Sequence, residues 1–158
     1  ETQKNMSFSE SCRQNGRVPH SHVLTFCRKA SDSITSDFLK LASDEEVFFL
    51  ERLLLADEIP VIDVHTWLPV RLFPNFDPDA VENGSFFEYL KSTYRYSIAA
   101  SSRSTVSVTV ASADMAQTLN LSPGDPLMIL DSYMQTPKGE PLYISREYIA
   151  GSRYTISF

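Results

Sequence analysis

The chain has 158 residues, 42% hydrophobic and 22% charged, with a formal net charge of −6. That length suits one domain spanning 1–158 with a full core of its own, and the negative balance argues against a segment that grips a phosphate backbone by itself. No apolar run approaches the roughly 18–20 residues of a membrane span, so no membrane partner is expected.

The first element is predicted at 7–15, a short helix with Phe8 and Cys12 on one face and Gly16 as its stop. A strand follows within Val18 to Lys29. Ser33 is the expected N-cap of a second helix, with Ile34, Phe38, Leu41 and Ala42 turned inward. Strands are predicted at 47–55 and 60–68, with Asp57-Glu58 as a hairpin turn and Pro60 opening the second strand. The Pro-rich segment 69–84 reads as irregular and mobile, a candidate cover for a ligand. Ser85-Phe-Phe-Glu88 has the pattern of a capping box and starts a helix to about Tyr94. Residues 98–109 are small and β-branched, a strand signal. Ser112 caps a short helix with Met115 and Leu119 inward, and Ser122 to Pro126 is a turn. Leu127 to Gln135 and Leu142 to Ile149 form a hairpin through Pro137-Lys-Gly139, and Tyr154 to Phe158 is read as a closing strand. Hairpins dominate, so the class is α+β with a mostly antiparallel sheet flanked by helices. No internal repeat is visible.

Familiar catalytic patterns are missing. There is no Gly-rich phosphate loop, no G-x-S-x-G elbow and no H-E-x-x-H. Asp44-Glu45-Glu46 sits in a turn where solvated acids are normal. Cys12 and Cys27 are too few for a disulfide framework and read as reduced thiols of a cytoplasmic protein. His20, His22 and His65 fall into no metal-ligand spacing with cysteines or acids, so no metal or cofactor is expected.

Two residues point to binding instead. Arg52 interrupts the apolar run from Val47 to Leu55. A charge buried there needs a partner, so Arg52 is either half of an ion pair or a receptor for an anion. Glu51 faces the other side of a strand, which leaves Asp63, a more distant acid or a ligand. Ser85 is either a plain N-cap or part of an anion site at a helix start. Arg103 interrupts a second apolar strand; a pocket wall, a dimer interface and an exposed sheet position all remain open for it.

The stretch from Arg52 to Pro69 resembles the Arg-x-Arg-x-x-Asp-Gly-x-Pro … Leu-Pro signature of the UTRA effector-binding domain, found in the HutC branch of GntR bacterial transcription regulators. Ser7-Phe-Ser-Glu10, Leu24-Thr-Phe, Ser85-Phe-Phe-Glu88, Ser122-Pro-Gly-Asp-Pro-Leu127, Gly139-Glu-Pro-Leu and Gly151 to Phe158 resemble further parts of that domain in the same order. The resemblance implies a chorismate-lyase-like fold, a small-molecule effector pocket and a homodimer. It also implies an N-terminal winged helix-turn-helix, outside this chain, through which alone DNA would be bound. The missing initiator Met fits a fragment of that kind.

For the pocket, the resemblance carries over at Arg52, Ser85 and Ser7, which match phosphate-binding positions of the family's sugar-phosphate sensors. Leu54 replaces a second arginine, and Val64 and Tyr143 replace two acids. Those departures favour a flatter, less polar anion, such as an aromatic or short-chain carboxylate. The rival reading is a lyase on the same fold, which needs convergent cations and an acid in the pocket.

Overall fold

A computed structural model describes residues 7–98 and 101–155. Four α-helices, α1 (Phe8–Gln14), α2 (Ser33–Leu39), α3 (Phe86–Tyr94) and α4 (Ala113–Leu119), accompany six strands: β1 (Pro19–Ala30), β2 (Glu46–Ala56), β3 (Ile59–Pro69), β4 (Arg103–Val110), β5 (Pro126–Gln135) and β6 (Pro141–Ala150). A short 3-10 turn, Pro78–Val81, precedes α3. The strands form one sheet in the order β1-β2-β3-β6-β5-β4, antiparallel at every pairing. The expected α+β class with an antiparallel sheet is met.

The hairpins follow from their turns. β2 and β3 join through Asp57-Glu58 alone, with φ of 50° and 67°. Two left-handed central residues are what the two-residue turn of type I′ requires, and its twist matches that of the strands. The Asp57 carboxylate accepts the Val18 N–H at 2.8 Å and pairs with Arg17 at 3.2 Å, tying the turn to the start of β1. The β5–β6 hairpin turns at Gly139, φ +84°.

Helices cover both faces of the sheet. On the front, α1 lies over Leu54, Ile62, Val64 and Ile149, while α3 lies over Leu50, Leu68 and Tyr143 together with Phe73, Phe76 and Val81. On the rear, α4 buries Ala116 and Leu119 against Leu53, Leu55 and Leu127, and α2 buries Leu39 against Val47 and Ile144.

The chain is internally duplicated, which the sequence did not disclose. The order α1–β1–α2–β2–β3 repeats as α3–β4–α4–β5–β6, and the two halves meet at β3 and β6 in the middle of the sheet. Equivalent positions match: Ser7 and Ser85 cap α1 and α3, Asp32 and Ser112 cap α2 and α4, Leu39 and Leu119 are fully buried, and Lys40 and Asn120 are both left-handed C-caps. The rear helices cross over, α2 packing on β6 and α4 on β3, so each half is closed by the other.

Several local expectations are corrected. Asp32, not Ser33, caps α2, its carboxylate accepting the Thr35 N–H at 2.7 Å. That one-residue shift turns Thr35 and Leu39 inward and leaves Ile34 66% exposed. Leu41 and Ala42 lie past the Lys40 cap, outside the helix. The segment 69–84 is irregular as expected, apart from the Pro78–Val81 turn, and it is anchored to the rest of the fold at a few points. It buries Phe73, Phe76 and Val81, Asn83 N–H donates to the Ser21 carbonyl at 2.7 Å, and Glu82 accepts from Val23 N–H at 2.6 Å. The strand read over 98–109 starts at Arg103, with 99–100 outside the described residues. Tyr154 and Thr155 are not in a strand, and the rest of the predicted closing strand lies outside the described residues.

Candidate functional site

Strand alternation builds the floor of a front-face cavity. Arg52 lies directly opposite Val64, and Val64 directly opposite Glu147, so these three form one row across β2, β3 and β6. Adjacent strands are about 4.8 Å apart, which sets Arg52 and Glu147 roughly 10 Å apart at the backbone, on either side of Val64. The cavity is about 140 Å³ and opens between the starts of α1 and α3. Leu54 and Thr66 share the floor, and Tyr143 closes one wall.

Arg52 is 7% exposed and forms no ion pair among the described residues. Its guanidinium sits 4.5 Å from the centre of the Phe86 ring, and its Nε is buried without a hydrogen-bond partner. Burial pulls its pKa down to about 10, with Tyr143 and Glu147 pulling the other way, so it stays cationic at neutral pH. Neither nearby acid of the ion-pair reading pairs with this residue; the more distant acid is Glu147, which faces it across Val64 and acts on it electrostatically without a salt bridge. Glu51 is on the rear face, where it accepts from Thr25 Oγ1 at 2.6 Å. Asp63 is also on the rear face, paired with His65.

Glu147 was not anticipated. Burial pushes its carboxyl up to about 7, opposed by Arg52. It supplies an acid to a cavity where Val64 and Tyr143 stand in place of two acids of the family pattern. Within Tyr143-Ile-Ser-Arg-Glu147 the alternation was readable, but only the pairing of β6 with β3 shows which face is covered. Tyr143 is 2% exposed, and burial raises its phenol pKa above the ordinary value. Thr66 Oγ1 is fully buried on the floor and has no hydrogen-bond partner among the described residues.

The two helix starts differ. Ser85 Oγ accepts the Glu88 N–H at 3.3 Å and keeps its hydroxyl proton for another acceptor. The full capping box is found at Ser7, whose Oγ accepts the Glu10 N–H at 3.3 Å and donates to Glu10 Oε2 at 3.0 Å, while its own N–H donates there at 2.9 Å. Ser7 therefore lines the cavity with its donors already engaged. Gly84, just before Ser85, has no room for a side chain, since a Cβ would come within 2.8 Å of the Ala80 carbonyl oxygen. It lets the loop turn tightly enough to set Ser85 on the rim.

Leu54 and Val64 line the same cavity as apolar floor, 9% and 3% exposed. Arg103 does not join them. It is exposed on edge strand β4, its guanidinium 4.4 Å from the centre of the Tyr133 ring, beside Ile34 and Phe38 of α2. The chemistry assembled at the front is one fixed cation, one acid near neutrality, a free serine hydroxyl and a threonine oxygen, set in an apolar bed. Chemically, such a set is able to hold and orient a small polar ligand.

The sequence model of the UTRA domain matches residues 14–155. A probable fructoselysine utilization operon transcriptional repressor of Escherichia coli K12 is 24% identical over 119 residues, covering 75% of this chain and 49% of that protein. The HTH-type transcriptional regulator YurK of Bacillus subtilis is 25% identical over 150 residues, covering 95% and 62%. The chain thus spans about half to three fifths of the relatives it matches. The effector domain of PhnF from Mycobacterium smegmatis superposes with a TM-score of 0.84 at 20% identity, over 98% of this chain and 94% of that one, a likeness of fold.

Proposed function

With the match running over most of its length, the chain belongs to the UTRA domain family, and we propose that it is the effector-sensing half of a GntR-type, HutC-branch bacterial transcription regulator. In this reading the front cavity binds a small anionic metabolite, with the anion at Arg52 and Ser85 and a hydrogen-bond donor of the ligand toward Glu147. The single observation that carries it is Arg52, a buried cation in no salt bridge among the described residues, its Nε without a hydrogen-bond partner there, lining a cavity. Leaving such a charge unpaired costs stability unless a ligand anion answers it.

Regulation would work by linkage. A ligand held about 100-fold tighter by one arrangement of a homodimer supplies roughly 2.7 kcal/mol toward that arrangement, enough to bias two DNA-binding heads carried outside this chain. Edge strand β4 supports the dimer. Val106, Val108 and Val110 stand 46%, 83% and 62% exposed on one side of a strand whose outer edge is unpaired among the described residues, and long apolar edges call for a partner. The lyase reading gains an acid in Glu147 but has Leu54 where a second buried cation would stand, so we assign no catalysis.

The test is a thermal-shift comparison of wild type and Arg52→Ala against orthophosphate, phosphorylated sugars, phosphonates and aromatic and short-chain carboxylates. One class is expected to stabilise wild type by about 2.7 kcal/mol at 100 times its dissociation constant. Arg52→Ala should lose that gain while melting close to wild type, since no ion pair is broken. A ligand that protects Arg52→Ala equally well, or a variant that melts far earlier and answers no anion, sinks the assignment.

A further inference from the structure

The rear face carries a second polar cluster that the effector reading does not use. β2 and β3 place Glu51 directly opposite His65, and Asp63 two residues before His65 on the same face. His65 Nε2 lies 3.3 Å from Asp63 Oδ2 and 3.8 Å from Glu51 Oε1. The ligand atoms of all three fall within 4.8 Å of one another. From this geometry we propose that Glu51, Asp63 and His65 hold one divalent transition-metal ion.

Three observations support it. First, bonds of about 2.1 Å to nitrogen and oxygen put tetrahedral ligand atoms roughly 3.4 Å apart; the two separations that include His65 Nε2, 3.3 and 3.8 Å, bracket that value, and Glu51 and Asp63 lie within 4.8 Å of each other. The His65–Asp63 contact is a long hydrogen bond at 3.3 Å, where a charge-assisted one would draw closer, to about 2.8 Å. Second, Asp63 is 1% exposed and its other oxygen, Oδ1, is buried without a partner. A carboxylate so deep and half unsatisfied needs a counter-charge. Third, the surroundings orient the ligands. Thr25 holds Glu51 Oε2 and leaves Oε1 turned to His65, while Phe49 and Tyr148 rings pack edge-on at 5.4 and 5.1 Å to fix the imidazole. The neighbouring cation, Arg146 opposite His65, is already matched by Asp131 through bonds of 2.6 and 2.9 Å.

The donor set chooses the metal. One imidazole nitrogen and two carboxylates suit Zn²⁺, Mn²⁺ or Co²⁺, whereas Ca²⁺ takes about six to eight oxygens. Asp63 is buried, but His65 and Glu51 keep 20% and 21% of their side chains exposed, which leaves room for water in the remaining coordination positions. The spacing was invisible in the sequence because the third ligand comes from the paired strand.

The test uses the whole 158-residue chain, stripped of metal and titrated with Zn²⁺, Mn²⁺ and Co²⁺ alone. Calorimetry should give one equivalent bound by wild type, and Co²⁺ should develop visible d–d absorption. His65→Gln and Glu51→Gln should each weaken binding by at least about tenfold, since even outer-shell losses cost 10–100-fold. Asp63→Asn should do the same. If its buried change prevents folding by circular dichroism, the two part-exposed variants still decide. His22→Ala, at the unrelated surface pair with Glu82, should bind as wild type does. No binding of any of the three ions, or binding retained by His65→Gln and Glu51→Gln, overturns the proposal and leaves His65 as an imidazole shared between two acids.

Discussion

Arg52 and Glu147 face one cavity across Val64, and each opposes the shift that burial imposes on the other. Glu147 is held near neutrality by burial, with Arg52 pulling its pKa back down. Its folded value of about 7 stands above the ordinary 4.5, so the folded state holds the proton more tightly than the unfolded chain does. Stability contributed by the neutral acid is therefore present below about pH 4.5 and lost as pH rises through about 7. Glu147→Gln should remove that loss. We expect it to match wild type near pH 4 and exceed it by about 1–2 kcal/mol at pH 8, less than the full shift because the carboxyl borders an open cavity. Urea melts at the two pH values check this, and a constant difference between the proteins would rule it out. The site was legible to different depths. Arg52 stood out because a charge in an apolar run must be answered. Leu54, Val64 and Tyr143 were reached through the family pattern. Glu147 did not, because a charged residue in Ser-Arg-Glu-Tyr looks solvated until β6 is known to be a central strand.

At the scale of elements, turn chemistry was the most readable signal and also reveals residual strain. Asp57-Glu58 gave the central hairpin directly, yet Glu58 holds φ +67°, a conformation in which a side chain crowds its own backbone. Glu58→Gly should stabilise the domain by about 0.5–1 kcal/mol, the relief of strain exceeding the added freedom of glycine in the unfolded chain. A denaturation midpoint that drops would show that the glutamate makes a contact worth more than the strain. Asp57 offers no such gain, because its carboxylate holds Val18 and Arg17. Short-range signals failed where two caps competed. Asp32 and Ser33 are both good N-caps, and choosing the second rotated the whole α2 face, putting Ile34 inward when it is Leu39 that is buried. The anchoring of the segment 69–84 escaped the sequence for the opposite reason. Its prolines suggested freedom, but Phe73, Phe76 and Val81 dock under α3, and burial of that kind is decided by tertiary partners.

The duplicated plan explains where the whole molecule is finished and where it is not. Two halves meet at β3 and β6, so both helix starts, Ser7 and Ser85, converge on one cavity near the seam, and the outer strands β1 and β4 become the two edges. The copies are not equally protected. β1 is buttressed by α1 and the 3-10 turn, whereas every residue of β4 is exposed. The repeat hid from the sequence because what it conserves is cap geometry and a few buried leucines, not residue identity. Its asymmetry argues for a partner at β4, and the duplication limits what that partner must be: a second copy meeting edge to edge by a two-fold axis would pair like with like. Val108→Lys places a charge at the most exposed apolar point of that edge, 83% accessible. The expected result is a dimer for wild type and a monomer for Val108→Lys in sedimentation equilibrium. The monomer's own melting should move by no more than about 0.5 kcal/mol, as for other surface substitutions. A variant that stays dimeric would move the interface elsewhere, and a wild type that is monomeric at all concentrations would leave the linkage mechanism without its second head.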